Sequence, residues 1–201
     1  MGMENEVIYD FETLSQEFDT GPVVSMSLLS YDEGRFASDN PYTYSELLGM
    51  AHLIKFKVEE QVKKYGRKIQ MDTLEWWGGQ SEEAQKQLKP SDKDQSITEL
   101  YSFIVVNTNL QNLQRVFTRG NTFDPMFLKS ILKAVGKDDP FPWWLVRDTR
   151  SYIEGMLQGS EVSNNSFIPK ELESKFVHHD PIHDVVMDVM RMQILKRAIV
   201  L

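Results

Sequence analysis

Apolar positions alternate near the start of the chain and fall into helical stripes later. Glu6-Val7-Ile8-Tyr9-Asp10-Phe11 is a short run of β-formers that predicts a buried strand. Gly21-Pro22 marks a turn, and Val23–Tyr31 predicts a second strand. Asp32-Glu33-Gly34 then reads as a hairpin turn leading to a third strand within Leu53–Val58. Tyr44–His52 fits a short helix, weakened by Gly49.

From Asp72 onward the period is helical. Asp72, with Glu75 three residues on, reads as the cap of a short helix that Gly78-Gly79 breaks. Ser81-Glu82-Glu83 opens another through Leu88, and Ile97–Asn107 carries Leu100, Phe103 and Ile104 on one face. Arg115–Arg119 predicts a strand ended by Gly120. Asp124-Pro125 starts a helix with the stripe Met126, Phe127, Ile131, Val135. After the break at Pro140–Pro142, Trp143–Val146 predicts a strand and Thr149–Leu157 a helix. Gly159–Lys170 reads as a loop, and a last helix runs from Asp180-Pro181 through Ile182, Val185, Val186 and Val189 to the C-terminus. A meander of strands followed by alternating strands and helices implies an α/β fold, a mixed sheet flanked by helices. No repeat, linker or change of composition divides residues 1–201, so a single domain is expected.

Composition narrows the chemistry. The chain has no cysteine, which excludes disulfides, thiolate zinc sites, iron–sulfur clusters and a cysteine nucleophile. No run approaches the ~18–20 apolar residues of a membrane span, so no membrane partner is expected. MGMENEVIYD shows no secretory signal, and Glu6 breaks the myristoylation pattern, so a cytoplasmic location is expected. The net charge of −8 disfavours a protein that grips long duplexes by phosphate neutralisation. It leaves room for an acidic site that holds divalent cations.

Each acid that stands near an element's end has an ordinary explanation. Asp10 and Glu12, two apart on one strand, share a face. They read as a solvated strand edge or, if the strand is central, as a pair that needs a compensating cation. Asp124 before Pro125 reads as a helix cap, and Asp184 favours the dipole of the last helix. His178, His179 and His183 crowd around that acid. With no thiolate and few imidazoles, hard oxygen ligands favour Mg²⁺ or Mn²⁺ over zinc.

Taken in order, Asp10-Phe11-Glu12-Thr13, Gly120-Asn121-Thr122-Phe123-Asp124 and His179-x4-Asp184 resemble the three motifs of the DEDDh 3′→5′ exonucleases. Thr73-Leu74-Glu75-Trp76-Trp77, Gln80-Ser81-x-Glu83-Ala84, Pro90-Ser91-Asp92 and Arg147-Asp148-x-Arg150 are similar to one branch of that family. This branch holds exonuclease A of T-even-type phages and a mycobacterial-type exoribonuclease. The resemblance runs from about Val7 to Leu195 and implies a ribonuclease H-like fold.

It also implies a metal-dependent hydrolase that releases 5′-mononucleotides from the 3′ end of a single strand. The phage branch favours DNA; an exoribonuclease, or a silent nuclease fold that binds protein, is the alternative. By the same resemblance Asp10, Glu12, Asp124 and Asp184 would hold two divalent ions, Mg²⁺ or Mn²⁺, and His179 would be the general base. The family's tyrosine-using subclass would need a tyrosine at position 180, which is Asp180. Phe11, Thr13, Asn121 and Phe123, beside those ligands, are candidates for lining the terminal-nucleotide pocket. Of Trp76 and Trp77, one is expected in the core and one on a substrate wall. Arg147, with Asp148 and Arg150, is either a phosphate contact or part of an internal ion-pair network. A homodimer is left open.

Overall fold

The computed structural model describes residues 4–158 and 164–200. Strands β1 (Glu6–Thr13) and β2 (Val23–Tyr31) are followed by α1 (Tyr44–Met50), β3 (His52–Lys55), α2 (Val58–Tyr65), α3 (Met71–Gly78) and α4 (Glu82–Lys86). Then come α5 (Leu100–Val106), β4 (Arg115–Thr118), α6 (Asp124–Ala134), β5 (Val146–Asp148), α7 (Thr149–Met156) and α8 (Pro181–Val200). The strands form one sheet in the order β3-β2-β1-β4-β5. β1 pairs antiparallel with β2 and parallel with β4, so the sheet is mixed and its first strand is central.

The two faces of β1 lead to two cores. Val7, Tyr9 and Phe11 pack with Leu100 and Ile104 of α5 and Phe127, Leu128 and Ile131 of α6. Ile8 packs on the opposite face with Val185, Val186 and Val189 of α8. Period-two alternation therefore aims Asp10 and Glu12, which follow Ile8 in its row, toward α8. Opposite them on β2 stand Ser27 and Ser25. These small side chains leave room for the start of α8, and the Ser27 hydroxyl donates to the Pro181 carbonyl at 2.7 Å.

Several local expectations change. The β2–β3 connection is no simple hairpin: Asp32 Oδ1 accepts from Gly34 N–H and caps a 3₁₀ turn, and α1 follows. β3 stops at Lys55 because Val58 opens α2. That helix has Glu59 and Glu60 in its first turn, Lys63 and Lys64 in its last, and Gly66 in the left-handed C-terminal position. Asp72 does not cap α3. The helix starts from Gln70, whose N–H bonds the Leu14 carbonyl and whose side chain accepts from Gln16 N–H. The 97–107 helix begins as a 3₁₀ turn, Ile97–Glu99, capped by Ser96.

Asp124 does not cap α6 either; it is the first helical residue, and Phe123 is the N-cap. Trp143–Leu145 forms a 3₁₀ turn where a strand was expected, and pairing begins only at Val146. Arg147 fastens that turn by donating to the Trp144 and Val146 carbonyls. The expected 159–170 loop includes 159–163, which lie outside the described residues. Among the described residues, no helix is long and apolar enough to cross a membrane.

Candidate active site

The acids meet where the parallel half of the sheet opens. β4 pairs with β1 only as far as Ile8, and Gly120 (φ +129°) then turns the chain away from the sheet. The Phe11 N–H thus loses its strand partner, and Asp124 Oδ1 takes it at 3.0 Å. This buried bond ties the start of α6 to β1 and explains why Asp124 does not fold back as a cap. On the other face, Asp180 Oδ1 accepts from the Ile182 and His183 N–H groups and fixes the start of α8. Asp184, in the first turn, is thereby aimed at β1.

One carboxylate oxygen from each of Asp10, Glu12 and Asp184 can lie within 4.8 Å of the others. Asp124 lines the same cavity of about 500 Å³. Burial is the largest influence on all four. Together with neighbouring acids it drives Asp10 and Glu12 well above the usual carboxylate range. Asp124 rises to about 7 despite the bond from Phe11 and the charge of Arg150. Asp184 also rises to about 7, with Asp188 adding to the effect of burial. Crowded carboxylates with no cation resist ionisation. The donor set consists of hard oxygens alone and suits Mg²⁺ or Mn²⁺.

His179 stands at the rim in left-handed backbone (φ 59°), the single such non-glycine among the described residues. A strained backbone held in place at a cleft is a common mark of a working residue. Its ring lies edge-on to Trp76, with centroids 4.8 Å apart. Burial and the adjacent His178 lower its pKa, so the neutral imidazole prevails at neutral pH. His183 is engaged elsewhere: its Nδ1 accepts from the Tyr44 hydroxyl and the Val177 N–H.

The aromatic pair divides as a core residue and a wall. Trp77 is 1% exposed and donates from Nε1 to the Thr13 carbonyl, whereas Trp76 is 47% exposed and lines the cavity. Phe11 and Phe123 line the same cavity and an adjoining one of about 460 Å³, where Thr13 joins them. Asn121 and Arg147 are not brought in. Asn121 is exposed and accepts from the Thr118 hydroxyl, and Arg147 turns its Nη1 back onto its own turn, outside the cavity. Thr122 and Arg150 line the cavity where those two were expected.

Asp188 is a residue the sequence reading missed. It is 1% exposed and accepts from Arg119 (2.7 Å), Arg191 (2.6 Å) and the Thr149 hydroxyl (2.6 Å). Its spacing of four from Asp184 on one helix was the available signal. Asp188→Ala strands two partly buried guanidinium groups and should cost about 3–5 kcal/mol. In thermal melts that is a fall of roughly 10 °C; an unchanged midpoint contradicts the network's role.

The 3′–5′ exoribonuclease Rv2179c-like domain family matches residues 5–195. The chain belongs to this family. It is a 3′→5′ exonuclease of the DEDDh type. The exodeoxyribonuclease of Enterobacteria phage T4 is 28% identical over 205 residues, covering 94% of this chain and 87% of that protein. E. coli exonuclease I in complex with a dA16 oligonucleotide superposes with a TM-score of 0.61 at 15% identity, over 96% of this chain. The zinc-bound form of the E. coli exonuclease I–single-stranded DNA complex gives 0.57 at 13% identity. This chain spans 41% of the first exonuclease I chain and 39% of the second. At such identities the likeness concerns the fold, which is ribonuclease H-like as expected.

Proposed function

We propose that this exonuclease removes nucleotides one at a time from the 3′ end of single-stranded DNA and releases 5′-mononucleotides. In this reading Asp10, Glu12, Asp124 and Asp184 hold two divalent cations, Mg²⁺ or Mn²⁺, and His179 is the general base. The observation that carries it is the meeting of Asp10, Glu12 and Asp184 within 4.8 Å, with Asp124 on the same cavity. Burial raises the pKa of all four acids, and neighbouring acids raise it further at Asp10, Glu12 and Asp184, so their ionised forms call for positive charge beside them. Ions bound there supply Lewis acidity toward water, the phosphate and the leaving 3′-oxygen.

The side chains of this protein do the rest. Neutral His179 takes a proton from the attacking water, for which its lowered pKa suits it near neutrality. Trp76 offers its exposed ring to a base, and Phe11 and Phe123 close the adjoining recess. Trp76→Ala is expected to raise KM about 5- to 100-fold with little change in stability. Trp77→Ala instead costs about 3–5 kcal/mol of stability. The reverse pattern in melts and kinetics contradicts this division of labour.

DNA is supported by the T4 relative and by the oligonucleotide complexes of exonuclease I. The family's own description supports RNA, which is the second reading. A single domain over 1–201, working in the cytoplasm, belongs to the same proposal. The test is digestion of 5′-labelled DNA and RNA strands of one sequence with Mg²⁺ or Mn²⁺, beside EDTA and Asp10→Asn controls. A ladder shortening from the 3′ end, faster on DNA and absent in both controls, is expected. A faster RNA ladder transfers the assignment to RNA, and no ladder on either strand refutes the function.

A further inference from the structure

The motif Arg147-Asp148-x-Arg150 separates into three roles. Arg147 clamps the turn before β5. Asp148 caps α7, its Oδ1 accepting from the Arg150 N–H at 2.9 Å. Arg150 sits in the first turn of α7 and lines the carboxylate cavity. That turn is held from below, because the buried Thr149 hydroxyl donates to Asp188 of α8 at 2.6 Å. The Arg150 backbone is thus fixed on both sides while its side chain reaches into the site.

Three arginines line this cavity. Arg119 is spent on Asp188, Asn165 and Ser166, and Arg191 on Asp188 and the Ser166 and Phe167 carbonyls. Among the described residues the Arg150 guanidinium makes no hydrogen bond and no ion pair. Its Nη1 lies beside Gly120, 3.7 Å from where a Cβ on that residue would stand. A guanidinium left unpartnered beside acids, with its fork of donors turned to a cavity, suits a phosphate.

Position selects which phosphate. Resting on the proposed reaction, the scissile phosphate lies over Asp10, Glu12 and Asp184, and the terminal base enters the recess of Phe11, Trp76 and Phe123. Arg150 does not line that recess; it lines the main cavity together with Gly120 and Asp124. A strand whose last base fills the aromatic recess must leave the cluster by another side. We infer that Arg150 holds the backbone phosphate one linkage inward from the scissile one, so that the site reads a 3′ end as at least two consecutive phosphates. Arg150 is then a substrate-binding residue that ranks 3′ ends by the charge of the inner linkage.

The test uses trinucleotides, as DNA and as RNA, whose inner linkage is either a phosphodiester or a neutral methylphosphonate. The outer, scissile linkage stays natural. Wild-type protein is expected to lose about 10- to 100-fold in kcat/KM on the neutral inner linkage, the range of a charge-assisted contact. Arg150→Ala should lose a similar factor on the natural strand, mainly through KM, and the two losses should not add. Arg150→Lys should recover part of the loss, since it restores charge without the fork. Melting curves of both variants should match the wild type. Equal Arg150→Ala losses on both strands, or a wild type indifferent to the inner charge, overturn the inference. Failure of the wild type on every natural strand would instead refute the exonuclease reading.

Discussion

Asp10→Asn should abolish exonuclease activity and, in the absence of divalent ions, raise the melting temperature at pH 8. Both effects follow from one cause. Asp10 shares its cavity with Glu12, Asp124 and Asp184; burial and neighbouring acids push up the carboxyl pKa of Asp10, Glu12 and Asp184, and burial pushes up that of Asp124. A group whose pKa is raised on folding contributes stability below its unfolded pKa, and loses that contribution as pH climbs through the folded value. For Asp124 and Asp184 the window runs from the ordinary 3.8 to about 7. Metal-free protein should therefore melt at falling temperatures between about pH 4 and pH 8. The asparagine removes one charge and should recover on the order of 1 kcal/mol or more, a few degrees for a chain of this size. Added Mn²⁺ should raise the wild-type midpoint by mass action and raise the variant's less. The same substitution removes a proposed cation ligand, so the rate should fall by at least about 10²- to 10³-fold. A fully active variant, or one that melts below the wild type at pH 8 without metal, contradicts this account.

His179→Asn should lower kcat about 10²- to 10⁴-fold, the usual contribution of a positioned general base. Asparagine is chosen because it tolerates the left-handed backbone (φ 59°) at that position. The catalytic form is the neutral imidazole, and burial with the adjacent His178 holds its pKa below the ordinary 6.5. In wild-type protein at saturating Mn²⁺, single-turnover rates should rise with pH to a plateau, with the midpoint of the rise below pH 6.5. In the variant that limb should vanish, because no group with the same titration replaces it. A loss under tenfold with an unchanged limb would assign the base elsewhere. His183 is already engaged by the Tyr44 hydroxyl and the Val177 N–H, which makes it a poor substitute.

Most of the sheet was readable because its strands carry strong local signals. Val7, Ile8 and Phe11 in β1, and the apolar run of β2, announce buried strands whatever surrounds them. The last helix was readable from Asp180-Pro181 and the spacing of Val185, Val186 and Val189. Helix α2 was overlooked although its charges and Gly66 were in plain view, because apolar β-formers before Val58 suggested that the strand continued. Trp143–Leu145 failed for the opposite reason. Its residues favour a strand, but Pro142 and the Arg147 clamp hold a 3₁₀ turn.

At the site, the order and spacing of the acids carried the class of the enzyme. Asp10 and Glu12 share a face by alternation, a property of any strand. Which face, and toward what, depended on α8 packing against that side of β1. Asp124 was written as a cap in local terms and became a partner of the Phe11 N–H because β4 diverges there. Trp76 and Trp77 are neighbours with equal hydrophobicity, and their opposite fates came from the carbonyl of Thr13, which one indole reaches. Arg147 and Arg150 changed places as phosphate candidates because Arg147 bends back to the Trp144 and Val146 carbonyls of its own turn, whereas Arg150 faces a cavity that β1, α6 and α8 assemble from distant parts of the chain. Periodicity, turns and motif order are short-range properties that a chain carries into any environment. Burial, partner choice and the direction of a charge arise from long-range packing, and here that packing selected which acids meet and which arginine is left free to bind.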